Sequence, residues 1–265
     1  MTKRERRCAS RRFTDLVGQT KKTREHVASG ARFFRRQPTV AEADEACLYA
    51  IERAEYVRIG SCGLVSDGKW NKTVSACFDL HEKVKECGRL AMFMGDDKRS
   101  GARYYLNWLQ GRFMEIAFCE MFAQHMFPGA LFRMAGADAD PSSLLFSRDH
   151  SADIEVSVEE STIMVEVQSG SQSRFSDVKG GKIEEAVKRA VSGVETVLVH
   201  FDIVGNSVAV VRNLANARCG SRRAQWGGRA VWEIPDRFFH ELCSHPFPSW
   251  PSIPSPGKEK QLCTG

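Results

Sequence analysis

The chain has 265 residues, is 42% hydrophobic and carries a formal net charge of +5. That length allows one sizeable domain with an extension, or two small domains. No apolar run reaches the roughly eighteen residues of a membrane span, and the basic N-terminus lacks the apolar stretch of a secretory signal, so no membrane partner is expected.

Nine cysteines, an odd number with no C-x-x-C pair among them, support neither a disulfide framework nor a zinc ribbon. The expected compartment is intracellular and reducing, cytoplasm or nucleus. The cluster His240, Cys243, His245, with Cys263 beyond it, matches no familiar ligand spacing and reads as incidental.

Charge is unevenly spread. Residues 1–40 hold twelve Lys/Arg against three Asp/Glu, a net +9, which leaves −4 on the remaining 225 residues. A basic arm over 1–38 suits a polyanion partner, because cationic side chains that neutralise phosphates release condensed counterions. A solvated tail is the plainer alternative. An organellar signal is also left open by its Arg-rich, hydroxyl-bearing composition, although Glu5, Asp15 and Glu25 argue against one.

A mainly helical region follows over 39–100. Residues 40–58 space Ala, Leu, Ile and Val as an amphipathic helix, with Thr39 as N-cap. A Gly-containing stretch over 60–71 breaks the pattern, and 72–94 resume it with Val74, Phe78, Leu80, Val84 and Leu90 as the apolar set. The Gly-bounded turn 95–101 is the candidate boundary to a core over 101–245.

The core opens with a buried helix over 102–126, apolar around most of its circumference. Glu115 lies on it in a stripe with Gly111, Phe118 and Phe122, one turn after a glycine expected to let this face approach another element. Residues 127–152 are rich in turn chemistry. Residues 182–192 predict a helix with Ile183, Val187 and Val191 as its apolar stripe. The runs 196–204 and 207–214 predict a hairpin across Gly205–Asn206. Arg222 and Arg223, near Trp226, read either as a stretch that meets a phosphate backbone or as a surface loop. The Pro- and Ser-rich residues 246–265 read as a tail.

The chemistry concentrates between the two helices. Residues 153–158 alternate Ile154, Val156 and Val158 with Asp153, Glu155 and Ser157. Residues 162–170 likewise alternate Ile163, Val165 and Val167 with Met164, Glu166 and Gln168. If only Glu159–Glu160 separate two antiparallel strands, Ile154 meets Val165, Val156 meets Ile163, and Asp153 falls opposite Glu166. A slip of one residue would set the apolar row against the acidic one.

Two carboxylates directly opposed are costly unless something compensates them. A divalent cation with hard oxygen ligands would do so, whereas a hairpin with a wet acidic face would need no ion.

A helix with a buried carboxylate, a strand that begins with Asp, a strand with Glu-x-Gln, then a helix and a strand resembles the core of the PD-(D/E)XK nuclease superfamily, which includes restriction endonucleases and Holliday junction resolvases. The resemblance covers roughly residues 103–214. It implies an α/β fold, a three-layer restriction endonuclease-like core with a central mixed sheet flanked by helices. The implied activity is Mg2+- or Mn2+-dependent hydrolysis of phosphodiester bonds by an endonuclease, on DNA before RNA, with a homodimer among the expected assemblies.

Residue by residue, the resemblance makes Asp153 and Glu166 metal ligands and Glu115 a supporting ligand through water, with Glu120 ranked behind it. Two positions depart from the pattern. Ala152 replaces the proline, which does no chemistry. Gln168 replaces the usual lysine, and an amide can orient a water or a phosphate but supplies no positive charge. Lys179, Lys182 and Lys188 are candidates to supply it, Lys182 first. A non-catalytic nucleic-acid-binding protein with a degenerate core is the alternative.

Overall fold

The computed structural model describes residues 36–60, 65–95, 100–135, 152–158, 161–170, 177–202, 207–219, 221–226, 229–234 and 238–241. The greater part of the basic arm, the loop positions Asp149, His150, Glu159, Glu160, Gly205 and Asn206, Cys243, His245 and the tail lie outside them.

Helix α1 (Val40–Gly60) starts on a reciprocal cap. Thr39 Oγ1 accepts from the Glu42 N–H at 3.2 Å, and Glu42 Oε2 accepts from the Thr39 N–H at 2.8 Å. Its buried stripe is built mostly of small residues, Ala43, Ala46, Ala50 and Ala54 with Cys47, joined by Tyr49, while Leu48 stays 60% exposed.

Helix α2 (Asp67–Glu86) begins five residues before the predicted start, since Ser66 accepts from the Lys69 N–H and Asp67 suits a first turn. It also ends earlier. Gly88, at φ 63°, adopts the left-handed conformation that closes a helix, and a 3-10 turn (Arg89–Met92) takes the rest. The buried face is Thr73, Cys77, His81 and Val84, with Phe78 left outward.

Helix α3 (Gly101–Ala117) is capped by Ser100. A Cβ on Gly101 would stand 2.5 Å from Phe93 O and 2.6 Å from Arg36 O, so glycine is required where this helix meets two backbones. Gly111 was expected to play that part, but a Cβ there would meet only open space. The helix does not run on regularly to Met126: a π turn (Phe118–Phe122) interrupts it before a last α turn (Ala123–Met126).

Within the stretch read as turns, Leu131–Met134 forms strand β1, too short to show a period in the sequence. Strand β2 (Ile154–Val158) pairs with β1 and with β3 (Ser161–Gly170), antiparallel to both. The β2–β3 register is the one the alternation specifies: Ile154 with Val165, Glu155 with Met164, Val156 with Ile163.

After β4 (Asp177–Lys179), helix α4 (Gly180–Val191) carries the chain to β5 (Glu195–Asp202), which runs parallel to β3. Strand β6 (Ser207–Val211) returns antiparallel to β5, and a 3-10 turn (Leu214–Cys219) follows. The stretch around Arg222 is strand rather than loop: β7 (Ser221–Trp226) pairs with β8 (Arg229–Glu233), and β8 with β4. Strand β9 (Phe239–Glu241) pairs with β6.

The architecture is α/β, with a mixed six-stranded sheet ordered β1-β2-β3-β5-β6-β9 and a three-stranded sheet ordered β4-β8-β7. Two apolar clusters cover the large sheet. Residues of α1, α2 and α3 join Ile154, Val156, Ile163, Val165, Val197, Val199 and Phe201 on one face. On the other, Ile183 and Ala186 of α4 join Leu198, Val211, Leu214 and Ile234. Among the described residues no helix is long and apolar enough to cross a membrane.

Candidate functional site

Period-two alternation sends Val165 and Val167 toward the helical layer and Glu166 and Gln168 toward α4. Asp153 lies just beyond the β2–β3 ladder, opposite Glu166, and its N–H donates to Val165 O at 3.1 Å. Its Oδ2 accepts from the Val167 N–H at 2.7 Å, which fixes the carboxylate at the mouth of the strand pair.

Lys182, in the first turn of α4, completes the group. Its ammonium donates to Asp153 Oδ2 at 3.1 Å and to Glu166 Oε2. Arg189 Nη1 lies 3.5 Å from Glu166 Oε1, the other oxygen. Lys182, Ala186 and Arg189 stand at i, i+4 and i+7, so both cations leave one face of α4 on either side of a small, fully buried alanine. This spacing is legible in the sequence, and Arg189 was nevertheless missed there. Of the other two candidate lysines, Lys179 is exposed and Lys188 pairs with Glu185 at 3.1 Å.

Glu166 is fully buried, whereas the side chains of Asp153 and Lys182 are 20% and 23% exposed. Burial raises the Glu166 carboxyl above its usual range and Asp153 adds to this, while Lys182 and Arg189 oppose it. Burial also works against the charge of Lys182, but the two carboxylates outweigh it and keep its pKa above that of an ordinary lysine. The repulsion imposed by the register is therefore met inside the chain by two cations. Charge balance alone does not call for a metal.

The donor set nevertheless suits one. Two hard carboxylate oxygens already converge on a single cation, the Lys182 ammonium, and the seat is reachable from solvent through Asp153.

Gln168 is half-buried on the same face and lies in register with His200 of the parallel strand β5. Burial pushes the His200 imidazole down to about 4, so at neutral pH the ring carries no charge.

Glu115 is buried on α3, a helix whose apolar residues pack on the face of the sheet opposite α4, and its carboxylate accepts from Arg112. Glu120 turns toward α2 and pairs with Lys72 at 2.7 Å. Arg222, Arg223 and Trp226 are strand residues of β7, and their side chains lie outside the described part.

A second polar group, unannounced by the sequence, bridges α1 and α2. Donor atoms of Asp44, His81 and Glu82 lie within 4.8 Å of one another. Lys85 Nζ donates to Asp44 Oδ1 at 2.9 Å and to Glu82 Oε1 at 2.8 Å, and His81 joins Asp44 at 2.9 Å and the Tyr105 hydroxyl at 2.7 Å. Compared with known proteins, the chain matches no family model, no curated protein and no solved structure.

Proposed function

We propose that the chain is a metal-dependent nuclease with a restriction endonuclease-like core, hydrolysing phosphodiester bonds in nucleic acid, DNA before RNA. The observation that carries this reading is the convergence of Asp153, Glu166 and Lys182 on one face of the sheet. The element order supports it: α3, then β2 preceded by Asp153, then β3 with Glu166 and Gln168, then α4 and β5.

Asp153 and Glu166 would hold Mg2+ or Mn2+. When bound, such an ion polarises a phosphoryl oxygen and lowers the pKa of a ligated water. The positive charge that Gln168 cannot supply comes from Lys182, reached from the helix instead of the strand. The amide of Gln168 orients the water or a phosphate oxygen. Glu115, which accepts from Arg112, would support the ion through water and not as a direct donor.

Incubation of the purified chain with plasmid, branched DNA and RNA in Mg2+ or Mn2+ tests the reading. The wild type cleaves at least one substrate, and Asp153→Ala loses more than about 100-fold, beyond the loss typical of an outer-shell residue. Cleavage that persists in the variant means the site is wrongly assigned.

A binding protein with a degenerate core is the second reading. It is favoured by one observation, that Lys182 and Arg189 already balance both carboxylates. Binding of nucleic acid without cleavage of any substrate would decide for it.

A further inference from the structure

The two cations of the site are not equivalent. Lys182 Nζ contacts both carboxylates, at 3.1 Å from Asp153 Oδ2 and against Glu166 Oε2, and its side chain is 23% exposed. Of the two carboxylates, Arg189 meets Glu166, through the other oxygen at 3.5 Å, and is 13% exposed.

A hard divalent cation needs the oxygens that Lys182 holds. Among the described residues, two carboxylates and two monovalent cations already sum to zero around a fully buried Glu166, so adding two further positive charges with both side chains in place is unfavourable. One cation has to leave. The lysine is a point charge on a flexible four-carbon stem with a route to solvent, whereas the arginine is planar, less exposed and seated on an oxygen the ion does not need.

We infer that Lys182 and a divalent cation are alternative occupants of one seat between Asp153 and Glu166. On binding, the lysine swings outward, where its ammonium meets a phosphate oxygen of the substrate. Arg189 stays on Glu166 Oε1 as a positioning residue that keeps the opposite oxygen turned toward the seat. This rests on the metal-site reading above.

Mn2+ binding, followed by the electron paramagnetic resonance of the free ion with no nucleic acid present, tests the exchange. Lys182→Met and Lys182→Gln should bind Mn2+ about tenfold or more tightly than the wild type, while Arg189→Met, which removes the same charge, should shift affinity less than about threefold. Far-UV circular dichroism checks folding. Lys182→Gln, which can still donate a hydrogen bond to Glu166, keeps the test usable if Lys182→Met does not fold.

Equal affinity in wild type and Lys182 variants overturns the exchange but leaves the metal site standing. Equal gains from Lys182→Met and Arg189→Met also overturn it, because net charge would then explain both. Failure of every form to bind Mn2+ overturns the metal site itself.

Discussion

Among the described residues, two groups place a lysine ammonium between two carboxylates, and they differ in what surrounds the acids. Between α1 and α2, Lys85 joins Asp44 and Glu82, whose side chains are 47% and 54% exposed. On the sheet, Lys182 joins Asp153 and Glu166, at 20% and 0%. Water can replace Lys85 at the first pair. At Glu166, which water does not reach, only Arg189, another cation or a proton can take the place of Lys182. The same hydrogen-bond pattern is thus a stitch between helices in one place and a cation requirement in the other.

Removing each lysine is the strongest way to break this contrast. Lys182→Met should destabilise the chain by roughly 3 kcal/mol, the lower end for a broken buried pair because Arg189 remains on Glu166. Lys85→Met should cost under about 1 kcal/mol, as exposed pairs do. Urea unfolding at pH 7 measures both. Equal losses would mean that burial of Glu166 does not separate the two groups.

The sheet group was more legible in the sequence than the helical one, for physical reasons. Two buried rows, Ile154 and Val156 against Ile163 and Val165, fix the β2–β3 register, and that register alone brings Asp153 to Glu166. Lys182 came within reach because a missing positive charge at Gln168 asked for a nearby replacement.

Arg189 shares the readable face of α4 with Lys182 and Ala186, but only the fold shows that this face lies against Glu166. His81 was hidden because a buried histidine looks like any polar residue on an amphipathic helix until Asp44 and Tyr105 are seen on either side. Strands β7 and β8, SRRAQW and RAVWE, carry too few apolar residues in alternation for a readable period. Gly111 and Gly101 make the same point: only contacts distant in sequence, Phe93 O and Arg36 O, tell which glycine is required.

Acid should reach the two regions at different pH. Burial lowers the His200 imidazole from 6.5 to about 4, so the unfolded chain takes up a proton that the native fold refuses across that window. Stability from the neutral ring is complete above 6.5 and is lost as pH falls toward 4. Asp44 is held below its ordinary 3.8, first by the Lys85 hydrogen bond and then by that of His81, so its contribution persists to about pH 4 and fades below.

Going from pH 7 to 4.5 should therefore cost the wild type roughly 2–3 kcal/mol more than it costs His200→Leu. Asp44→Asn should follow the wild type through that window. Parallel curves for wild type and His200→Leu would show that the imidazole is protonated in the native fold, and the sheet face would then be wetter than its burial implies.

The smallest test concerns the closed end of the helical group. The Tyr105 hydroxyl bonds His81 Nδ1 at 2.7 Å, and the ring is fully buried against Phe93, with centroids 4.9 Å apart and edge to face. Tyr105→Phe keeps that packing and removes one hydrogen bond, leaving a buried ring nitrogen of His81 short of a partner. The expected loss is about 1 kcal/mol, read by urea unfolding with an unchanged slope. His81 can turn its remaining bond fully toward Asp44, which is half in water and able to adjust, so the loss stays small. A loss near that of Lys182→Met would mean that this network also holds a charge water cannot reach, and the distinction between stitch and cation seat would fall.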